Sequence, residues 1–487
     1  MRDLLILLFC ITSVTSGAQT FTTLSIFDYT DGASPKAALV QGVDGYFYGT
    51  TAGGGHSFSC DDGCGTIFRI DAIGALTTLY RFCPLGGRCL DGAVPSGVVE
   101  ATDGNFYGTT QTGGSTGRGT LFKLTSRGLT TIHVFCEGNC SDGSTPLAPL
   151  VQAADHNFYG TTEFSGINNG GTIFRVNSEG VVTTLYSFCA KSQCRDGNAP
   201  IAGLVQGSDG FLYGTTTSGG NTTQDGTVFK ISTNGKLTTL YRFCSLANCA
   251  DGSFPFGALV QGTDGNFYGT TLQGGASESN CLGASGCGTV FRITPAGVLT
   301  TLYSFCARPN CADGGAPTTL VMGTDGNFYG TAGGGGGSPT CTGGCGTIFE
   351  VTLAGELTTL YSFCAQKGCP DGENPNSFMQ ATNGSFYGVT GGGGANNDGT
   401  LFNLATGLGE FVTTLPGAAK VGVEIGILGT DLTGATSVTF NGVPAQFMVK
   451  LPTIILAQTP MGATTGTIQV VLPAQTLSSN VAFYVLP

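Results

Sequence analysis

Asp264-Gly265-Asn266-Phe267-Tyr268-Gly269-Thr270-Thr271 is the stretch on which the fold turns. Asp-Gly is a tight-hairpin dipeptide, and the aromatic and β-branched run after it reads as a strand. With small changes the phrase recurs around Tyr48, Tyr107, Tyr159, Tyr213, Tyr268, Tyr329 and Tyr387, at steps of 59, 52, 54, 55, 61 and 58 residues. A sustained period of this length means a propeller, a solenoid or an array.

Outward from the phrase, residues 257–261 form a short apolar strand before the turn. Residues 288–293 form a third strand, with Thr289, Phe291 and Ile293 on one face at period two. A turn at Pro295-Ala296-Gly297 leads to a fourth strand over 299–305. Four strands per unit, no helical period and seven units predict an all-β chain built as a seven-bladed β-propeller. Solenoid coils are usually shorter and need no fixed number of copies. The fourth-strand phrase also stands alone at 21–27 and at 411–415, so eight fourth strands compete for seven blades. One terminus is expected to complete the last blade and remove an exposed edge.

Composition agrees. The chain has 487 residues, too many for one ordinary core. Gly is 82 but Pro only 19, without a G-X-Y period, which excludes collagen. Charged residues at 10% and hydrophobics at 40% exclude a solvated disordered chain. Lys plus Arg is 19 against Asp plus Glu at 31, a net charge of −12, which argues against nucleic acid or an anionic membrane as partner.

Residues 1–18 read as a secretory signal: Arg2, an apolar run over 4–11 too short to span a bilayer, then Ser16-Gly17-Ala18. No later segment approaches 18 uninterrupted apolar residues, so a soluble mature chain, secreted, periplasmic or at the cell surface, is expected. The 18 cysteines beyond Cys10 fall into nine local pairs. Six recur in one context: Cys83/Cys89, Cys136/Cys140, Cys189/Cys194, Cys244/Cys249, Cys306/Cys311 and Cys364/Cys369. Cys60/Cys64, Cys281/Cys287 and Cys341/Cys345 are additional. In an exported protein such spacing predicts nine disulfides between sequence neighbours. Zinc is the rival reading, but each pair is only half a site, a second half would have to lie nearby, and the chain has three His.

Strand order sorts the loops. First-to-second and third-to-fourth turns share one face and are uniform. Second-to-third loops and inter-blade connections share the other and vary: 16, 11, 11, 12, 19, 16 and 11 residues separate each motif Tyr from the Gly opening the third strand. The three long loops, 52–64, 272–287 and 332–345, hold the three additional Cys pairs. All nine pairs thus fall on the variable face, where loops usually carry function. From about Pro416 the phrase and the cysteines stop. Alternating segments at 421–425, 437–440, 464–470 and 481–485, with a turn at Asn441-Gly442, predict a small β-sandwich. The expected division is signal 1–18, propeller 19–415 and sandwich 416–487.

The recurring G-x-D-G-N-F-Y-G-T-T, G-T-[IV]-F-[RK]-[IV] and L-T-T-L-Y-[SR]-F-C phrases over residues 20–415 resemble the GloVer tandem repeat, a family of exported bacterial proteins with varied C-terminal anchors. The tail, with G-x-x-L-x-G-A-T-S-V-T-F-N-G-V and A-T-T-G-T-I-Q-V, resembles an IPT/TIG immunoglobulin-like domain. Neither resemblance implies a reaction, and no terminal anchor or sorting segment is read here.

Individual residues favour structural duties. His156 fills a turn position held by Gly in the other copies, His133 replaces a fourth-strand Tyr, and His56 lies near Asp61 and Asp62 in the first long loop. Asp44, Asp103, Asp155, Asp209, Asp264 and Asp325 suggest calcium, but one carboxylate before Gly is turn chemistry rather than a dense oxygen set. Asp91, Asp142, Asp196, Asp251, Asp313 and Asp371 follow each Cys pair and are expected to cap the inter-blade loop. Arg69, Lys123, Arg175, Lys230 and Arg292 share a third-strand register, completed by Glu350 and Asn403. Blade-edge ion pairs are expected there rather than an anion-binding ring. No catalytic motif occurs in its required context. The expected function is non-catalytic binding of an extracellular protein or glycan by a monomer, without cofactor. The competing class is a lyase or hydrolase acting on an extracellular polymer.

Overall fold

The computed structural model describes residues 19–56, 59–84, 87–275, 287–341 and 343–486. The signal reading over 1–18 and the Cys281/Cys287 pairing lie outside the described residues. The chain is all-β apart from single turns of 3₁₀ helix. Residues 20–405 build seven antiparallel sheets of four or five strands, each following the first-to-fourth order of the sequence repeat. We number these repeats 1 to 7.

The Phe-Tyr dipeptide explains how the sheets stack. Adjacent strand residues point to opposite faces, so each copy sends its Tyr towards the next sheet and the preceding Phe, Leu212 in repeat 4, towards the previous one. Tyr48 meets Phe106 at 4.2 Å, Tyr213 meets Phe267 at 3.8 Å and Tyr268 meets Phe328 at 4.1 Å between ring centroids. The series returns to its start, with Tyr387 of repeat 7 stacked on Phe47 of repeat 1 at 4.1 Å. A second series runs from each fourth-strand Phe to the next third-strand Phe, such as Phe243 to Phe291 at 5.1 Å. Here Phe27 on Phe68 at 5.2 Å joins last to first. Third strands are therefore covered on both sides. In Thr289–Ile293 every residue but Arg292 is buried, not only the alternate set that period two picks out.

The terminus left open by the sequence is the N-terminal one. Thr20–Ile26 pairs antiparallel with Thr400–Ala405 and completes the seventh sheet. Phe21 stacks on Tyr361 at 3.8 Å. The other fourth-strand phrase goes elsewhere: Thr413–Leu415 pairs with Glu424–Leu428 of the tail. Every fourth strand also skips one residue of its ladder, Leu79 in repeat 1 and Leu302 in repeat 5 for instance, a bulge the alternation did not reveal. The next repeat's third-to-fourth turn packs against that bulge, and a Cβ on Gly297 (φ +92°) would lie 2.6 Å from the Leu240 carbonyl oxygen.

The tail forms two four-stranded sheets and a parallel pair, Ala418–Lys420 with Tyr484–Leu486. Ile425, Ile427, Ile455, Val438, Phe440, Ile468 and Val470 from the two larger sheets share one buried core. The expected 481–485 strand narrows to Tyr484–Leu486 and the 464–470 strand to Ile468–Val471.

Candidate functional site

At the end of the array that bears the first-to-second turns, polar groups are spent on the fold. Each motif Asp accepts from the Tyr four residues on: Tyr48 Oη donates to Asp44 at 2.8 Å, Tyr159 to Asp155 at 2.7 Å and Tyr329 to Asp325 at 3.0 Å. In repeat 7 Asn383 Nδ2 donates to Tyr387 Oη at 3.0 Å. The same Asp caps its turn, as Asn266 N–H donates to Asp264 Oδ1 at 3.0 Å. This chemistry leaves little of these carboxylates for calcium. His156 sits in its turn at φ +62°, the left-handed conformation the Gly of other copies adopts there.

Beside these turns a first-strand Gln bridges neighbouring repeats. Its Oε1 accepts from the previous repeat's turn N–H: Thr102 to Gln152 at 3.0 Å, Ala154 to Gln206 at 2.9 Å, Ser208 to Gln261 at 3.0 Å and Thr324 to Gln380 at 3.1 Å. Thr382 N–H to Gln41 at 2.9 Å links repeat 7 to repeat 1. In repeat 2 the position is Glu100, buried, accepting from Val43 N–H at 2.9 Å. Burial pushes its carboxyl up to about 7. Repeat 6 has Met322. Sequence reading missed this series, although the V-Q-G phrase carries it.

Two third-strand cations serve their own sheets and a third also reaches the next: Lys123 Nζ lies 2.9 Å from Asp103 and Arg69 lies over the Tyr46 ring at 4.6 Å, while Lys230 Nζ lies 3.8 Å from Asp209 and donates to the Pro295 carbonyl of repeat 5 at 3.2 Å. Burial opposes ionisation of Asp103, but hydrogen bonds from Lys123, Asn105 and Tyr107 outweigh it and hold the carboxyl at about 2. Glu350, in the same register, accepts from Asn327 at 2.7 Å. The tail rests on this end: Thr453 Oγ1 donates to the Val43 carbonyl at 2.5 Å, and Thr382 and Thr430 hydroxyls meet at 3.0 Å. Between tail and repeats 3 and 4 lies a cleft of about 290 Å³, lined by Gln152, Gln206, Thr414 and Tyr484 among others.

The opposite end carries the cysteines. Eight pairs are joined among the described residues: Cys60–Cys64, Cys83–Cys89, Cys136–Cys140, Cys189–Cys194, Cys244–Cys249, Cys306–Cys311, Cys341–Cys345 and Cys364–Cys369. In the connections between repeats the backbone is left-handed at every cysteine but Cys89, φ +60° at Cys189 and +49° at Cys194 for instance, a conformation that costs a non-Gly residue about 1–2 kcal/mol. The second Asp set reinforces these loops. Asp196 accepts from Ala190 and Lys191 N–H at 3.0 and 3.1 Å and from Tyr186 Oη at 2.8 Å. Burial, then the neighbouring Asp, pushes that phenol far above its usual value, so it stays a donor. In repeat 2 His133 Nε2 takes the Tyr role, 2.8 Å from Asp142.

Loop 52–64 opens a depression of about 450 Å³ on this end, lined by Tyr29, Lys36, Asp61, Asp62 and Asp398 among others. His56 packs edge-on to Tyr29 at 6.4 Å. It belongs to none of the described His, Cys, Asp and Glu groups whose ligand atoms lie within 4.8 Å of one another. Burial raises the carboxyls of Asp398 and of Asp31, while the Thr30 hydroxyl leads a set of hydrogen bonds that lowers Asp28. The second half that a zinc reading of the Cys pairs requires lies nearby in two repeats. In repeat 1 Cys64 Sγ lies 3.7 Å from Cys89 Sγ, and in repeat 6 Cys341 Sγ lies 3.8 Å from Cys364 Sγ. The third-to-fourth hairpin brings both ends of its 18-residue spacer to the same corner.

Among the described residues no helix is long and apolar enough to cross a membrane. No curated protein matches the chain in sequence. Solved structures similar to it include the following three. The extracellular domain of a candidate hybrid two-component system from B. thetaiotaomicron is 10% identical, with a TM-score of 0.48 over 96% of this chain and 58% of its own. This chain thus spans little more than half of that one. A candidate gluconolactonase is 12% identical, with a TM-score of 0.38 over 81% of this chain and 94% of its own. A luciferin-regenerating enzyme is 8% identical, with a TM-score of 0.42 over 81% of this chain and 97% of its own. The Gloeobacter/Verrucomicrobia repeat matches residues 62–282 and 248–422, and the chain belongs to that family.

Proposed function

We propose that the chain is an exported, non-catalytic binding protein: a seven-bladed propeller closed by its N-terminal strand, followed by an IPT/TIG-type immunoglobulin-like sandwich. Its binding surface is the disulfide-bearing loop face. One observation carries this reading. The tail occupies the uniform end of the array and leaves the end with the long loops and cysteines open. Loops pinned by short disulfides lose little further freedom on binding, which lowers its entropic cost. The Asp and Tyr groups of the repeats are engaged with one another and with backbone N–H groups, which favours scaffold over acid–base chemistry. An extracellular protein or glycan is the proposed partner.

The test is a glycan-array and pull-down screen of the wild-type chain against a variant whose 52–64 loop is shortened to the 11-residue type, losing Cys60 and Cys64 together. Binding that falls at least tenfold supports the loop face. Unchanged binding to the captured partner, or turnover of a screened polysaccharide, overturns it.

A further inference from the structure

The additional cysteine pairs of the long loops do not stand alone. Each is followed, after 18 intervening residues, by the constant pair of its own repeat: Cys64 to Cys83, Cys287 to Cys306 and Cys345 to Cys364. The spacer contains the antiparallel third-to-fourth hairpin, so its two ends converge. In repeat 6 the sulfurs of Cys341, Cys345, Cys364 and Cys369 and a Glu373 carboxylate oxygen all lie within 4.8 Å of one another.

The spacing between the two pairs is informative. Zinc holds thiolate sulfur at about 2.3 Å, so the edge of a tetrahedral Cys₄ site is about 3.8 Å. The approach of Cys341 to Cys364 is 3.8 Å, and that of Cys64 to Cys89 in repeat 1 is 3.7 Å. Glu373 adds a second observation. Its Oε2 lies 3.0 Å from Cys341 Sγ and 3.7 Å from Cys369 Sγ. A disulfide sulfur carries no hydrogen to donate, and among the described residues this carboxylate makes no other hydrogen bond. A negative group held against sulfur suits a cation, or thiols, better than it suits two disulfides.

We propose that Cys341, Cys345, Cys364 and Cys369 form a tetrathiolate Zn²⁺ site when reduced, so that the two disulfides and the bound cation are alternative states of one site. A dithiol gives each disulfide two electrons and two protons and closes to its own disulfide; a phosphine gives two electrons, and one water supplies the two protons while its oxygen leaves on the phosphine oxide. Zn²⁺ then displaces the four thiol protons to solvent. Two equivalents of a small-molecule disulfide take the four electrons back with four solvent protons, re-form both S–S bonds and expel the ion. In repeat 1 only three sulfurs, of Cys60, Cys64 and Cys89, lie within 4.8 Å of one another, and among the described residues the Cys189–Cys194 pair of repeat 3 belongs to no such group.

The experiment uses the full chain, oxidised or reduced with a phosphine, loaded with Zn²⁺ and desalted. Bound metal is counted by elemental analysis, and Co²⁺ serves as a spectroscopic stand-in. The oxidised chain is expected to hold no zinc, and the reduced chain to hold it with the β-sheet circular-dichroism signal intact. Cobalt should show the intense sulfur-to-metal charge transfer of four thiolates. Cys341→Ser/Cys345→Ser is expected to hold one equivalent fewer than reduced wild type, and Cys189→Ser/Cys194→Ser the same as wild type. Any of four results overturns the proposal: a reduced chain that binds no zinc, equal loading of the oxidised chain, wild-type loading of the repeat 6 variant, or loss of the β-sheet signal in the zinc-loaded reduced chain.

Discussion

The two ends of the repeat array solve one problem in different ways. Both must tie off strand ends, satisfy backbone polar groups and hold Gly-rich turns in order. At the uniform end this is done by side-chain hydrogen bonds: Asp to Tyr within a repeat, Gln to backbone between repeats, with the tail laid across. At the variable end an Asp–Tyr pair recurs, but the six connections between consecutive repeats are also cross-linked, with mostly left-handed cysteines held by a covalent bond. The comparison teaches why one end tolerates length changes. A hydrogen-bonded series needs every repeat to present the same atom at the same place, whereas a local disulfide stiffens its own loop whatever the neighbouring loop does.

Ring closure underlies both ends, so breaking it should have the largest effect. Deleting residues 19–27 removes the strand that completes the seventh sheet, with Phe27 on Phe68 and Phe21 on Tyr361. Losing one buried Phe typically costs about 3–5 kcal/mol. The deletion is expected to cost more than about 5 kcal/mol, on the scale of a whole domain's stability. Urea unfolding followed by circular dichroism measures this, and an unchanged midpoint would mean that the array stands without closure.

Glu100 probes the uniform end. Its folded-state value of about 7 lies above the ordinary 4.5, so between those values the folded chain binds more protons than the unfolded one. Stability contributed by the protonated form is therefore present below about 4.5 and lost as pH rises through about 7. Glu100→Gln restores the residue found in five other repeats and removes this loss. The variant is expected to gain about 1–3 kcal/mol at pH 8 and little at pH 4.5. Thermal unfolding at the two pH values checks it, and an equal gain at both would assign the effect to packing instead.

At the variable end, Cys189→Ser/Cys194→Ser should cost about 2 kcal/mol, the chain-entropy value for so short a loop. Binding through the distant 52–64 loop should survive, since each disulfide acts locally. Denaturant midpoints and partner affinity measured on one sample separate the two effects.

The smallest expected change repairs a defect. In six repeats two threonine hydroxyls meet across the second and third strands, Thr271 and Thr289 at 2.9 Å for example. Repeat 6 has Ala332 instead, and the buried Thr347 hydroxyl is left without a partner. Ala332→Thr should add about 1 kcal/mol, seen as a small rise in Tm. A fall would mean that the Cβ environment of repeat 6 has closed over the gap.

Much of this was legible in residue order. Turn, strand and spacing signals recur often enough for the four-strand unit and its loop faces to be read directly. The capping role expected of Asp91 and its equivalents appears as hydrogen bonds to backbone N–H groups. The fate of Phe411–Leu415 was not legible, because the same Thr-Thr-Leu phrase suits either a repeat or the tail, and only competition between partners decides. The Gln series was also hidden: a Gln after an apolar strand looks like solvent-facing filler until the next repeat's turn is set beside it.

The amino-acid sequence by itself determined the all-β repeat and the turn chemistry, because each depends on residues a few positions apart. Only the tertiary structure decided which terminus completes the seventh sheet, which end the tail covers and which cysteine pairs become neighbours. Those outcomes depend on strands and loops that meet only when the hairpins fold back and the last repeat reaches the first. An 18-residue spacer conveys nothing of proximity until antiparallel pairing brings its ends together.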